Sequence, residues 1–284
     1  MKHLTFMVSA LIVVGTFASC EKASVQTEQN KKHKVTFVVG TSDFAITKTR
    51  TSLSESNITE LLVIDKVAGV QKQVIRQSDS DTDFGSPTLS LDYGTHTLTF
   101  IAHRSEGAAF DSESFTWSAS RVRDTFILTE DIIIDTNSST TRNVSVPRAV
   151  WQLKFLVNDA LPDDLTKVRV VMQTYYGKVS LSSLNGLNAQ ALTRDFEIPA
   201  SVLGTTGNYF SVFGFCPSIN NEYTSDVSIS FMRSDGSIIQ SHSLSSIPLE
   251  TNCVTTVSGD YFSMTANSVI DLNVAWGIEK AVAL

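Results

Sequence analysis

Few residues in this chain of 284 have the types and spacing that enzyme chemistry requires. None of the common glycine-rich, nucleophile-elbow or zinc-binding motifs is present, and the five histidines are scattered. His96 and His103 frame one predicted strand, seven residues apart, so their side chains point to opposite faces and cannot share a metal ion. We therefore predict a protein that is not an enzyme and that uses neither a cofactor nor a metal.

Three aspartates at alternate positions, Asp79, Asp81 and Asp83, look like the start of a calcium-binding loop. Such a loop needs glycine at its sixth position and a bidentate glutamate at its twelfth. This chain has Phe84 and Ser90 there. The run is therefore predicted to be a solvated turn.

The first cysteine, Cys20, ends a segment with the features of an export signal. A short basic start is followed by the apolar run Leu4–Val14, which is too short to span a membrane, and then by small residues. The stretch Phe17–Cys20 resembles the bacterial lipobox, in which the cysteine receives lipid, although leucine is usual at the position of Phe17. We predict a lipoprotein signal peptide over residues 1–19 and lipidation, including palmitate, at Cys20. The alternative is an ordinary cleaved signal in which the cysteine is incidental.

The other two cysteines, Cys216 and Cys253, form an even pair in a chain predicted to be exported. A disulfide between them is therefore permitted, because exported proteins fold in an oxidising compartment. Two separately buried thiols are the alternative.

The three tryptophans, Trp117, Trp151 and Trp276, could form a platform on which sugar rings stack. Trp151 and Trp276, however, each alternate with apolar residues along one strand face. We therefore predict that these two are core residues.

The rest of the chain is a succession of segments rich in Val, Ile, Phe and Thr, separated by turn residues and without a long helical period. The pair Asp235–Gly236 predicts a tight hairpin between the last two of these segments. The predicted strands are Val35–Val39, Leu61–Asp65, Leu98–His103, Phe126–Asp135, Trp151–Val157, Val168–Met172, Tyr209–Phe215, Val227–Met232 and Ser237–Leu244.

This pattern predicts an all-β protein built from β-sandwiches. The polar stretch Asp135–Asn143 is the expected seam, which gives an N-terminal domain over residues 35–142 and a C-terminal domain over 143–284. Residues 20–34 are polar and almost without large apolar side chains, as in a flexible tether. The net charge is −7 and no long basic run occurs, so we predict no nucleic-acid partner.

The chain ends in sixteen residues, Val269–Leu284, whose even positions are apolar with the exception of Lys280. Strict alternation predicts one extended strand about 50 Å long with a single apolar face, well beyond the length of an ordinary strand. Gly277 is a plausible pivot between a better-formed strand and a detachable tail. The apolar positions are Ile270, Leu272, Val274, Trp276, Ile278, Val282 and Leu284.

Three segments resemble the FimB/Mfa2 fimbrial subunits, the fimbrillin-associated anchor lipoproteins of Bacteroidetes. They are "LSLDYGTHTLTFIAH" (89–103), "RVRDTFIL" (121–128) and "VPRAVWQLKFLVNDALPDDLTKVRVVM" (146–172). Their order and spacing match, and the lipobox precedes them. The resemblance implies two tandem transthyretin-like β-sandwich domains in an outer-membrane lipoprotein at the cell surface. The residues that follow Cys20, "EKAS", lack the acidic run often associated with export to the outer face.

The resemblance also implies a role in cell adhesion as a lipid-anchored subunit of a type V pilus. Its partners would be other pilus subunits, joined by strand donation, for which the alternating C-terminal residues are suited. In polymerising relatives a protease removes an N-terminal strand after an arginine, and Arg50 could be such a site, although an ordinary turn is the alternative. A second functional hypothesis is a surface glycan-binding lipoprotein with β-sandwich domains.

Overall fold

The structure, a computed structural model, describes residues 31–42, 50–52, 58–104, 107–111, 113–117, 121–218, 222–263, 271–274 and 282–283. These residues form β-strands, and the helical element among them is one 3₁₀ turn, Ala200–Val202. Within the same ranges no helix has the length and apolar character needed to cross a membrane. The predicted all-β fold is confirmed.

The first sandwich packs two sheets face to face around one core. Its outer sheet consists of β1 (Lys32–Ser42), β2 (Arg50–Ser52), β5 (Thr88–Asp92) and β10 (Thr141–Pro147). Its inner sheet consists of β3 (Glu60–Val67), β4 (Val70–Ser78), β6 (Gly94–His103) and β9 (Thr125–Ile134), in the order β4-β3-β6-β9. The core includes residues of both sheets, among them Val35, Phe37, Val39, Leu61, Val63, Leu98, Phe100 and Val146.

The inner sheet is buried on both faces along its two central strands, β3 and β6. Along β3, Leu61 and Val63 pack in the first core, while Leu62 and Ile64 pack in a second core that includes Trp117. Successive side chains of a strand point to opposite faces, so a run of buried residues requires a layer on each side. The inner sheet is therefore the central layer of the molecule.

The second sandwich also has two sheets. One consists of β11 (Trp151–Val157), β16 (Asn208–Gly214), β19 (Val254–Gly259), β20 (Asp271–Val274) and β21 (Val282–Ala283), in the order β16-β11-β19-β20-β21. The other consists of β12 (Lys167–Tyr175), β15 (Gln190–Glu197), β17 (Tyr223–Met232) and β18 (Ile238–Leu249), in the order β15-β12-β17-β18. Alternate residues of β11, such as Trp151 and Phe155, are fully buried between the sheets.

A fifth sheet joins the two sandwiches. It consists of β7 (Ala108–Phe110), β8 (Ser114–Trp117), β13 (Lys178–Ser180) and β14 (Gly186–Leu187), in the order β14-β13-β8-β7. The first two strands belong to the connection between β6 and β9, and the last two to the connection between β12 and β15. Three residue pairs join β8 to β13. We call these four strands the joining sheet.

Two strands cross the domain boundaries predicted from the sequence. The boundary after residue 142 falls inside β10, which pairs in parallel with β1 from Thr36↔Thr141 to Ser42↔Pro147. The first sandwich therefore extends to Pro147. The predicted tether, residues 20–34, overlaps β1, which begins at Lys32.

Two tight turns illustrate how local chemistry sets the hairpins. The predicted turn at Asp235–Gly236 joins β17 to β18: Gly236 has φ of +84°, and Asp235 Oδ1 accepts a hydrogen bond from Ser237 N. A second turn, Ala68–Gly69, joins β3 to β4 with positive φ at both residues, as a two-residue hairpin of type I′ requires. Glycine at position 69 adopts this conformation without steric cost.

Candidate functional site

The C-terminal strands form one edge of the second sandwich. β19 pairs in parallel with β11 on one side and antiparallel with β20 on the other. Four residue pairs, Ser258↔Asp271 to Thr255↔Val274, hold β20 to β19, and two pairs hold β21 to β20. A strand at a sheet edge exposes unpaired backbone donors and acceptors, which can pair with another chain.

The chain just before these strands is tightly held. Tyr261 is fully buried, and its hydroxyl donates to Val257 O at 3.0 Å. The carboxylate of Asp159 accepts hydrogen bonds from the backbone N–H groups of Tyr261, Phe262 and Ser263, at 3.1, 2.7 and 3.2 Å. We call this arrangement the Asp159 clamp. It fixes the path of the chain to the second sandwich up to Ser263.

The prediction of one continuous terminal strand is wrong. Because β21 runs antiparallel to β20, the chain reverses its direction between Val274 and Val282. Of the positions predicted to donate a strand, Leu272 and Val274 lie in β20 and Val282 lies in β21. The positions outside the described residues are Ile270, Trp276, Ile278 and Leu284, together with the predicted pivot Gly277.

The N-terminal strand occupies the middle of its sheet. β1 pairs with β10 on one edge, and on the other edge with β5 and β2. Between β5 and β2, Phe37 N donates to Pro87 O at 2.9 Å and Val39 N donates to Gly85 O at 2.8 Å. Arg50 is the first residue of β2 and pairs with Ser42. The predicted protease site therefore lies next to β1, whose side chains pack in the core of the first sandwich.

Two of the three cysteines lie among the residues that the structure describes. Cys20 lies outside the described residues. Cys216 and Cys253 are buried thiols that no disulfide joins, which is the second of the two predicted arrangements. The Cys216 thiol donates to Leu249 O at 3.7 Å, and burial raises its pKa to about 11.

Two histidines of the first sandwich, His96 and His103, have structural partners. His96 Nδ1 lies 2.7 Å from Asp65 Oδ1, and its Nε2 lies 2.8 Å from Asp92 O. His103 packs on the opposite face against the rings of Phe115 and Trp117, and burial lowers its pKa. Within the described ranges, no group of three or more His, Cys, Asp or Glu residues could hold a metal ion.

The aspartate run forms an exposed turn, as predicted. Asp81 Oδ2 accepts a hydrogen bond from Ser78 N at 2.7 Å, and Phe84 N donates to Asp81 O at 3.1 Å. The carboxylate of Asp81 therefore shapes the turn by binding its backbone.

Trp151 is a core residue, as predicted. Its ring is fully buried, and Nε1 donates to Phe215 O at 3.0 Å. The space for the ring depends on Gly214, its partner on β16, because a Cβ atom there would lie 2.4 Å from Trp151 Cζ2. Trp117 is also buried. In the part of the chain that the structure describes, the large aromatic side chains that are exposed are Tyr93 and Tyr209, one in each sandwich.

A polar cavity of about 460 Å³ lies between the inner sheet and the β13 connection, and sequence reasoning missed it. Its wall contains a chain of hydroxyl groups: Thr99 Oγ1 lies 3.0 Å from Thr129 Oγ1, which donates to Leu181 O at 2.8 Å. Thr97 Oγ1 donates to Asp131 Oδ1 at 2.6 Å. The alternate threonines of β6 were the sequence pattern that could have indicated this cavity, because they place hydroxyls on one face of the strand.

Solved structures of Bacteroidetes proteins are similar to this chain. A candidate polysaccharide-binding protein (DUF1812) from Bacteroides thetaiotaomicron is 9% identical, with a TM-score of 0.54 over 86% of this chain and 97% of that one. A candidate adhesin from the same species is 9% identical, with a TM-score of 0.54 over 87% and 98%. The fimbrial anchor protein Mfa2 from Porphyromonas gingivalis is 8% identical, with a TM-score of 0.49 over 88% and 99%.

The two structures from B. thetaiotaomicron share the fold of this chain, so the resemblance noted in the sequence is confirmed at the level of the fold. No curated protein matches the chain. The family model of DUF6562, a family of unknown function, matches residues 90–281, and the chain therefore belongs to this family.

Proposed function

We propose that this protein is a lipid-anchored structural subunit of a type V pilus, which attaches the fibre to the outer membrane and joins its neighbour by strand donation. The observation that carries the proposal is the weak attachment of the C-terminal strands. Four residue pairs hold β20 to a single strand of the body, and β21 pairs with two residues of β20. These strands can leave the sheet without disturbing the buried strands behind the Asp159 clamp.

The chemistry of the C-terminal residues fits this role. A donated strand forms backbone hydrogen bonds with its acceptor, while alternate side chains enter pockets that set its register. The apolar positions from Ile270 to Leu284 follow that alternation. Head-to-tail donation does not close on itself, so repeated contacts of this kind produce a filament.

The N-terminal end fits an anchor. Lipid at Cys20 would be followed by a tether that ends where β1 begins, at Lys32. Two or more acyl chains are sufficient for stable attachment to a membrane. Since β1 is central in its sheet, the tether would lead directly into a strand that is paired along both edges. The lipid would therefore hold the subunit at the base of the fibre and at the cell surface.

The state of the N-terminus tests the anchor role. Mass spectrometry and N-terminal sequencing of the mature protein should find a chain that begins at lipidated Cys20, and Cys20→Ser should release the protein from the membrane. Electron microscopy of the same cells should show fibres that detach when this variant replaces the wild type. A mature chain that begins at Thr51 would instead mean cleavage after Arg50 and a subunit of the shaft or tip, and an unlipidated wild type would refute the anchor.

The polar cavity favours a second candidate function, the binding of a glycan. Its hydroxyl, carboxylate and lysine side chains are groups that bind sugar hydroxyls, and its volume of about 460 Å³ is within the range of small-ligand sites. A glycan array would test this candidate, with Thr97→Val as a variant that removes one hydroxyl from the wall. Retained fibre attachment together with loss of glycan binding in this variant would separate the two functions.

A further inference from the structure

A small hollow of about 150 Å³ opens at one edge of the second sandwich, between the edge strands β15 and β16. The segment 121–123, which leads into β9, forms its third side. Three arginines line the hollow, beside two phenyl rings and one hydroxyl. These residues are Arg121, Arg123, Arg194, Phe196, Ser211 and Phe213.

No carboxylate lines this hollow in the described part of the chain. The two nearest acids in the sequence bind other arginines through two-point contacts. Asp195 points to the opposite face of β15 and accepts from Arg169 at 2.7 and 2.8 Å. Asp124 accepts from Arg148 at 2.7 and 3.0 Å. The carboxylate next to Arg194 in the sequence is therefore engaged by Arg169 on the other face of β15.

Arg194 shows most directly that the hollow lacks a hydrogen-bond acceptor. Its Nη1 atom is buried and has no hydrogen-bond partner among the described residues, while its guanidinium lies over the ring of Phe196. Burial lowers the pKa of Arg194, and the charges of Arg121 and Arg123 lower it further. A buried charged donor without an acceptor destabilises the folded protein. An anion bound in the hollow would accept a hydrogen bond from Arg194 Nη1 and would offset the repulsion between the guanidinium groups.

The hydroxyl of Ser211 and the guanidinium groups can also donate hydrogen bonds to an acceptor in the hollow. Ser211 Oγ accepts a hydrogen bond from Gln152 Nε2 at 2.8 Å, so its own O–H can donate into the hollow. A guanidinium presents paired N–H groups that match the spacing of oxygens in carboxylate, phosphate and sulfate. The volume of about 150 Å³ is below the usual range of small-molecule sites, and so fits one such group rather than a large ligand.

We propose that the hollow between β15 and β16 is a binding site for one oxyanion group, a carboxylate, sulfate or phosphate, which Arg194 binds together with Arg121 and Arg123. The group can be a free ion or the acidic substituent of a larger molecule such as a charged sugar. The phenyl rings of Phe196 and Phe213 form the apolar walls beside it.

Thermal unfolding of the purified protein tests this site. Sodium sulfate, sodium phosphate and sodium glucuronate are each compared with sodium chloride at equal ionic strength. At least one should raise the midpoint by roughly 3 °C when present at about ten times its dissociation constant. A rise with sulfate or phosphate indicates a site for a tetrahedral anion, and a rise with glucuronate indicates a site for a sugar carboxylate.

Arg194→Gln should abolish the rise, and Arg121→Gln, which changes an exposed side chain, should reduce it. Arg233→Gln is the matched control, because Arg233 pairs with Asp164 at a distance from the hollow and its loss should leave the rise unchanged. Without added anion, Arg194→Gln should be at least as stable as the wild type. No anion-specific rise in the wild type, or an equal rise in Arg194→Gln and Arg121→Gln, would overturn the proposal.

Discussion

The two ends of the folded chain enter their sheets in different ways. β1 is bonded along both edges: seven residue pairs join it to β10, five join it to β5 and three join it to β2. β20 has four pairs with β19 and two with β21. The first strand is thus part of a core, whereas the last strands are additions to an edge.

This difference indicates what each end can do in an assembly. Withdrawal of β1 would open a groove through the first sandwich, because Val35, Phe37 and Val39 are buried between its sheets. Withdrawal of β20 and β21 would leave a free edge along β19. In the proposed assembly, the C-terminal end would donate a strand, and the N-terminal end would remain in place and carry the lipid.

The largest expected effect is at the N-terminal end. Phe37→Ala removes a fully buried ring that lies 5.4 Å from the ring of Phe100, and should lower the free energy of unfolding by about 3–5 kcal/mol. Urea denaturation measures it. Tyr209→Ala removes an exposed ring of the other sandwich and is the control, with an expected change below about 0.5 kcal/mol. Equal losses in the two variants would contradict a core role for β1.

An intermediate effect is expected at the Asp159 clamp. Asp159→Ala leaves three backbone N–H groups without their acceptor and should cost about 1–3 kcal/mol of the free energy of unfolding. Hydrogen exchange should accelerate at Phe262 and Ser263. Asp163→Ala, which changes an exposed carboxylate of the same connection, should leave both measurements unchanged. If exchange at the clamp stays slow in Asp159→Ala, another contact holds this segment.

The smallest effect on stability is expected at the very end of the chain. Deletion of Ile278–Leu284 removes β21, and should lower the free energy of unfolding by less than about 0.5 kcal/mol while binding to the neighbouring subunit is lost. Truncation after Asp271 also removes most of β20 and should cost more. A large loss of stability in the shorter deletion, or pilus attachment that persists, would show that the tail belongs to the protein's own core.

The sequence predicted those strands and turns whose own residues show a clear pattern, such as alternation of apolar and polar side chains or a favoured turn pair. β11 has the bounds that the alternation of Trp151–Val157 indicates, and the turn at Asp235–Gly236 forms the hairpin that its residue types favour. β4 was missed because its residues are largely polar and exposed. Pairing with the buried strand β3 supports this edge strand, and that contact leaves no pattern in the residues of β4 itself.

Long-range partners could not be predicted in the same way. The parallel pairing of β1 with β10 joins Thr36 to Thr141, and neither residue has a feature that selects the other. The charged hollow depends on the same kind of contact. Arg121 and Arg123 reach Arg194 only because β15 and the segment before β9 meet in the fold. Spacing along the chain gave no sign of this cluster.

The joining sheet has a mechanical consequence. In the proposed fibre, tension would act on this protein through the segment before Lys32 and through the C-terminal strands. The covalent link between the sandwiches is short, from Pro147 to Trp151, and in parallel with it run the hydrogen bonds between β8 and β13. Such tension would be shared between the link and the joining sheet, whose hydrogen bonds between β8 and β13 oppose separation of the two sandwiches.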